Sequence, residues 1–327
     1  HEKVKTISQN MPSIFNLLPS RNYVDGNPDA EILFPNKYVY DSESATWLDY
    51  EATKDFMVAR GRNGNLFAQA ETLHASTNSL DLSGVDVYNF AGCGTTKTIA
   101  RIITKKKKTW NSFFQKVVDD FKLDYTNGDE TVPLSSAIGP YDNNFYVRGL
   151  THAGLPSGTE VSQAILTLLG GGSVTSTSII STDSDDCDVS GRVVSTHSPV
   201  VMHIYDNHEN HTGPNENGDI EYGVPGVTYD VIEGAAFAFL PEDGTYRIVT
   251  KATDTGAYDF HVALIGANDI KTGEVYWHEI PLANLATNTE VEFSPSVDSY
   301  VIKMDEDGDG IFESTFLPSS TLTADMA

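Results

Sequence analysis

The sequence predicts an α/β region followed by an all-β sandwich. Three observations carry this. Residues 1 to 170 mix helical and strand patterns. Residues 171 to 197, "GGSVTSTSIISTDSDDCDVSGRVVSTH", are rich in Gly, Ser, Thr and Asp and read as a linker with one strand near Val174–Ile180. From Ser198 onward, short alternating or apolar runs recur between turn residues, and no helical pattern interrupts them.

Within the first region, "GVDVYNFAGCG" (84–94) is apolar, β-branched and aromatic, and is entered and left by glycine, which predicts a buried strand. "KTIARIITK" predicts a second strand, and "NNFYVRGL" (143–150) a third that delivers His152 just past its end. "GTEVSQAILTLLGGG" then places Val161, Ile165, Leu168 and Leu169 on one helical face, with the helix ending at Gly170–Gly172. A strand, an acid, a strand, a histidine and a packing helix follow α/β grammar. In the sandwich region the runs "PVVMHIYD", "VTYDVI", "AAFAFLP", "TYRIVTKA", "AYDFHVALIG", "EVYWHEI", "TEVEFSP" and "SYVIKMD" predict seven or eight antiparallel strands.

Length and charge bound the function. A chain of 327 residues can bury two cores. A formal net charge of −25 repels nucleic acid and anionic membranes alike, so neither is expected as a partner. No run approaches the ~18 apolar residues of a membrane helix, so the chain is expected not to be transmembrane. The basic run Lys105–Lys108 reads as a solvated strand end or hairpin. Cys93 and Cys187 form neither a disulfide framework nor a zinc site, and a single bridge between them is left open by the sequence.

Two turns carry candidate chemistry. In "TNGDETVPLSSA" (126–137), Gly128 permits a sharp turn at a strand end and Asp129 stands at its tip, while Ser135 or Ser136 is placed to cap a helix beginning there. A carboxylate held at that tip can orient His152, fix its tautomer and stabilise the imidazolium, and the residues alone equally allow a surface turn aspartate beside an ordinary, partly exposed histidine. In "DEDGDGIFE" (305–313), Asp305, Asp307 and Asp309 alternate with Gly310 at the sixth position, which suits a loop offering oxygens to a hard cation such as Ca2+. A full EF-hand wants an acid at the twelfth position, and that residue is Phe316, so the loop reads at best as a calcium-stapled hairpin and equally as a plain Asp/Gly turn. His208 and His211 in "DNHENHTG" suit zinc only on a helix with a further ligand, and in a polar loop they read as solvated.

Residues 5 to 170 resemble the lecithin:cholesterol acyltransferase-like lipases and esterases of the α/β-hydrolase superfamily. "MPSIFNLLPS" (11–20) is similar to the family's helix ending in Leu-Leu-Pro, and "GVDVYNFAGCGTTKT" (84–98) to its strand leading into a Tyr-x-x-Gly-x-Gly-x-x-Thr turn. "GDETVPLSSA" (128–137) resembles the Gly-Asp-x-Thr-Val-Pro acid loop, and "LTHAGLP" (150–156) the segment carrying the catalytic histidine. The resemblance implies the C-terminal part of an α/β-hydrolase: a helical cap over about 20–83, then last core strands and catalytic loops over 84–170. Asp129 becomes the triad acid and His152 the general base, with Glu130 at a variable position and no catalytic role. It also implies a serine esterase acting through an acyl-enzyme on a lipid or carboxylic ester, with no cofactor required for catalysis.

No Gly-x-Ser-x-Gly and no His-Gly segment occur, while Ser13 and Ser157 lack the nucleophile's strand-to-helix context. The chain is therefore expected to be the later part of a longer hydrolase, inactive alone, with the missing portion or another chain completing the sheet. In the cap, Trp47, Phe56, Met57, Leu66 and Phe67 either line an acyl pocket or form helix core. Residues 198–327 resemble small sandwich domains appended to secreted bacterial enzymes, which implies a secreted or cell-surface protein. The competing reading is a non-catalytic glycan- or protein-binding surface protein with a vestigial hydrolase region.

Overall fold

Strand alternation builds most of the molecule. In the computed structural model, which describes residues 9–25, 37–94, 96–110, 115–138, 143–295 and 300–323, Val200–Asp206 and Tyr246–Ala252 turn every second side chain inward. They are neighbours in a seven-stranded sheet whose order runs Ile220–Tyr222, His211–Pro214, Val200–Asp206, Tyr246–Ala252, Asn288–Phe293, Ile302–Asp305, Ser314–Phe316. A six-stranded sheet runs Asp230–Ile232, Ala235–Pro241, Gly191–Thr196, Gly256–Ile265, Lys271–Leu282, Ser320–Thr323. Strands of both sheets contribute to one apolar core, including Met202, Ile204, Ile248, Leu240, Val262 and Trp277. This is a β-sandwich, and each large side chain buried in it contributes about 1.5–3 kcal/mol.

The stretch expected as a linker, 171–197, holds one of the best-buried strands. Gly191–Thr196 is buried at every position and lies between Ala235–Pro241 and Gly256–Ile265. Gly191 is required there, since a Cβ would collide with the Phe239 ring and the Leu240 carbonyl. Its Ser and Thr hydroxyls give the segment a linker's composition and hide its Val193–Val194 centre.

The α/β expectation for the first half does not hold. The described residues are mostly strand, arranged in four sheets, with few helices. The predicted strands do not join one helix-covered sheet. Tyr88–Cys93 and Asn143–Arg148 belong to a three-stranded sheet completed by Ile180–Ser181. Lys97–Trp110 belongs instead to a four-stranded sheet ordered Thr46–Trp47, Val39–Asp41, Lys97–Trp110, Gln115–Asn127. The long helix pair Tyr50–Ala59 and Gly64–Asn78 does not blanket a parallel sheet either. Leu66, Phe67 and Ala70 pack with Phe15 into a small cluster that Met57 borders.

Contacts divide the chain into two units. One comprises His1–Tyr88, Ala100–Asp124 and Pro140–Asn143; the other comprises Asn89–Ile99, Tyr125–Gly139 and Asn144–Ala327. The division does not fall at 171–197, and the loops bearing Asp129 and His152 belong to the same unit as the sandwich. In that unit Thr159–Leu169 forms the expected helix, ended at Gly170 with Gly171 in the left-handed region. It buries Val161 and Ala164 against Phe145, Val147 and Ile180, while Ile165 and Leu169, expected on that face, are exposed.

Candidate functional site

The acid loop begins where Gln115–Asn127 ends. Gly128 forms an antiparallel bridge with Pro133, and a Cβ there would meet the Val132 carbonyl and lie 2.6 Å from Thr98 Oγ1. Only glycine fits so close an approach. Asp129 N–H donates to the Val132 carbonyl at 3.3 Å, closing the turn. The Asp129 Oδ1 accepts from the backbone N–H of Thr131 (3.2 Å) and Val132 (2.8 Å). Glu130, between them, is forced to φ +74°. The short helix Leu134–Ala137 comes next with Pro133 at its cap, so Ser135 and Ser136 lie inside it rather than capping it.

The base comes from the other side. Asn143–Arg148 ends at Gly149, which takes φ +73° and donates its N–H to the Cys93 carbonyl at 3.1 Å. The chain then turns so that His152 N–H donates to the Asp129 carbonyl at 3.0 Å. The side chains meet as well, with His152 Nδ1 2.8 Å from Asp129 Oδ2. The structure therefore brings together the two residues the sequence singled out, which lie 23 positions apart.

Burial divides their roles. The Asp129 side chain is 5% exposed, while that of His152 is 51% exposed. With Oδ1 committed to two amides, Oδ2 is left to accept from Nδ1–H. That fixes the tautomer in which Nε2 carries a lone pair. Nε2 makes no hydrogen bond among the described residues. The arrangement can take a proton from a donor at Nε2 and hold the resulting imidazolium against a buried carboxylate. Burial, then the Asp129 charge, raises the Glu130 carboxyl, so its ionised form is the disfavoured one in the fold. Ser157 is no nucleophile for this base: its hydroxyl donates to the Gly154 carbonyl at 3.1 Å within its own turn.

Three supports surround the acid turn, of which the sequence leaves one open, the Cys93–Cys187 bridge, and misses the other two. A Cβ on Gly92 would lie 2.8 Å from the Asp129 Cβ, so this strand glycine makes room for the acid. Cys93 and Cys187 are joined in a disulfide, which ties the neighbouring strand to the turn Ser184–Cys187. Asn127 is clamped immediately before the acid turn: Lys97 Nζ donates to its Oδ1 at 2.8 Å, and its Nδ2 donates to Asp188 at 2.8 Å. Lys97 is fully buried and ion-paired with Asp269; burial depresses its ammonium and the Asp269 charge opposes that. A lysine in a β run gives no sequence signal of burial, and its partner lies 172 positions away.

The second turn also assembles. Asp305, Asp307, Asp309 and Glu313 each bring a ligand oxygen within 4.8 Å of the others. Oxygens on opposite sides of a Ca2+ ion, each at about 2.4 Å, are roughly 4.8 Å apart, so the group is of the right size for a hard cation. Asp305 is buried and accepts from the N–H of Gly308 (2.6 Å) and Gly310 (3.0 Å), both left-handed glycines. The fourth acid is Glu313, at the ninth position; counting to the twelfth, an EF-hand habit, reached Phe316, which lies in the returning strand Ser314–Phe316.

Of the cap residues, Leu66, Phe67 and Met57 belong to a helix cluster, while Trp47 and Phe56 are half-buried outside it. Leu66 and Phe67 are buried in the helix cluster, Trp47 packs edge-on to Tyr40 with ring centroids 5.1 Å apart, and Phe56 lies under the Arg60 guanidinium. No helix of the described residues is long and apolar enough to cross a membrane. Protein-family profiles, curated proteins and solved structures were all compared with this chain, and none matches it.

Proposed function

We propose that Asp129 and His152 are the acid and general base of a serine-type hydrolase acting on a carboxylic ester or acyl lipid. The observation that carries this reading is the 2.8 Å contact from a buried, amide-held carboxylate to a half-exposed imidazole. In the reaction Nε2 takes the proton of an attacking serine hydroxyl as it adds to the ester carbonyl. His152 then returns the proton to the departing alkoxide, leaving an acyl-enzyme, and the same base activates water to release the acid. The Asp129 carboxylate stabilises the imidazolium each time it forms.

The nucleophile and the oxyanion donors belong to no motif in these 327 residues, so they come from elsewhere in the protein or from another chain. Ile165, Leu166 and Leu169 on the helix Thr159–Leu169 are exposed, apolar surface of the kind another part of the protein or another chain would cover. The Asp305 loop is a structural Ca2+ site in this reading. The disulfide suits an oxidising compartment, and secretion or display at the cell surface is part of the proposal.

Hydrolysis of p-nitrophenyl acyl esters tests the proposal in the whole protein or complex that supplies the nucleophile. His152→Ala should abolish turnover, and Asp129→Asn should lower kcat on the order of 10⁴-fold by leaving the wrong tautomer at the base. Turnover that survives His152→Ala would contradict the assignment.

A further inference from the structure

A row of three titratable side chains crosses the outer face of the seven-stranded sheet. His203 lies on Val200–Asp206, where Met202 and Ile204 point into the core, so His203 and Tyr205 point out. His211 opens the next strand, His211–Pro214, and Glu221 belongs to the one after, Ile220–Tyr222. The spacing of His208 and His211 suggested those two as a pair, but the sheet gives His211 a different partner. His211 Nε2 lies 3.0 Å from His203 Nδ1, and His211 Nδ1 lies 3.0 Å from Glu221 Oε2. His208 stays in the exposed turn between the strands.

The bonding order fixes the tautomers. Glu221 can only accept, so His211 carries its proton on Nδ1 and presents a lone pair at Nε2. The proton between the two rings then belongs to His203 Nδ1. Burial first, then Lys251 and His211, depress His203 to about 4, so the ring is neutral at ordinary pH. Two imidazole nitrogens face each other across 3.0 Å, and the far N–H of one ring is held by a carboxylate, which is how proteins orient a histidine ligand to a metal. Gly213 keeps that point clear: its backbone at φ +142° brings the position of a Cβ to 3.2 Å from His211 Nε2.

From this geometry we infer that His203 Nδ1 and His211 Nε2 bind a borderline transition-metal ion, Zn2+ or Cu2+, with Glu221 orienting His211. The ion takes the place of the proton between the rings, which moves to His203 Nε2, so both rings ligate as neutral imidazoles. Tetrahedral Zn2+ with Zn–N near 2.05 Å sets its ligand nitrogens about 3.3 Å apart, so the 3.0 Å pair opens slightly while both rings rotate to turn their lone pairs from each other toward the ion. The remaining positions are filled by water, since the His211 side chain is still 18% exposed. Lys251 opposes the added charge and Glu221 offsets it. Imidazole donors with no thiolate favour Cu2+ over Zn2+ and exclude Ca2+, so this site differs in kind from the all-oxygen Asp305 loop.

The test is calorimetric titration of the untagged 327-residue chain with Zn2+ at pH 7.5, in millimolar Ca2+ so that all-oxygen sites are filled. One saturable site is expected. His203→Ala and His211→Ala should each abolish it, Glu221→Gln should weaken it 10- to 100-fold, and His208→Ala should leave it unchanged. Should the histidine variants misfold, imidazole ¹⁵N spectra of the unaltered protein give the same answer, with only the His203 and His211 signals moving on addition of Zn2+. Absence of saturable binding, or binding that survives His203→Ala, or binding that is lost in His208→Ala, would each overturn the inference.

Discussion

Asp129 and Asp305 occupy nearly the same backbone setting and do different things with it. Both are buried acids in glycine-bearing turns, and each accepts two backbone N–H groups. The difference is what stands opposite. Asp129 keeps one oxygen for an imidazole, so its charge is answered within the protein. Asp305 faces Asp307, Asp309 and Glu313, an acidic group that could hold a metal ion such as Ca2+. A cradled carboxylate is therefore a general device, and its chemistry is set by the partner placed across the turn.

The two turns should respond to different perturbations. The largest effect is expected from the disulfide. Replacing Cys93 and Cys187 by Ala should cost about 4 kcal/mol of stability by freeing a loop that spans a sequence separation of 94. Denaturant melts would read the loss, and the His152 ring signals should broaden while the response to Ca2+ is kept. A Ca2+ response that vanished with the disulfide would show the turns are not independent.

Calcium comes next. At 100 times its dissociation constant it should add about 2.7 kcal/mol, seen as a rise in Tm that chelator reverses. Asp305→Asn should remove that rise and leave the Asp129–His152 contact intact. An unchanged Tm across calcium and chelator would remove the cation from the account.

A smaller effect isolates the acid turn. Gly92→Ala puts a methyl against Asp129 and should cost about 1–3 kcal/mol, with loss of the ordered His152 signal but no change at the Asp305 loop. Smallest is Glu130→Gly, which should gain about 1 kcal/mol by relieving the left-handed φ of +74°. Glu130→Gln tests charge instead. Because the Glu130 carboxyl is raised, its ionised form disfavours the fold above that value, and the cost is relieved as pH falls. The Gln variant should therefore be stabilised at neutral pH, and the gain should fade under acid. A gain that persisted at low pH would point away from charge.

Much of this was legible in the sequence, and the failures share a cause. Alternation exposed Val200–Asp206 and Tyr246–Ala252 because each has one wet and one dry face. Gly191–Thr196 was invisible because both its faces are dry and its hydroxyls imitate a linker. The α/β expectation read element order as sheet membership, yet Lys97–Trp110 follows Tyr88–Cys93 in the chain and joins a different sheet. Local turn chemistry singled out Asp129, and its pairing with His152 came from the resemblance of "GDETVPLSSA" and "LTHAGLP" to an acid loop and a histidine segment. Glu313, His203 and Lys97 were missed because strand return, cross-strand register and a partner 172 residues away bring them into place.

The central claim is that Asp129 fixes the His152 tautomer, and the ¹⁵N–¹H spectrum of the His152 imidazole measures this directly. At neutral pH the account predicts a protonated Nδ1 with a far-downfield proton and an unprotonated Nε2, and Asp129→Asn should move the proton to Nε2. A spectrum showing Nε2–H in the unaltered protein, or one that Asp129→Asn leaves unchanged, would contradict it.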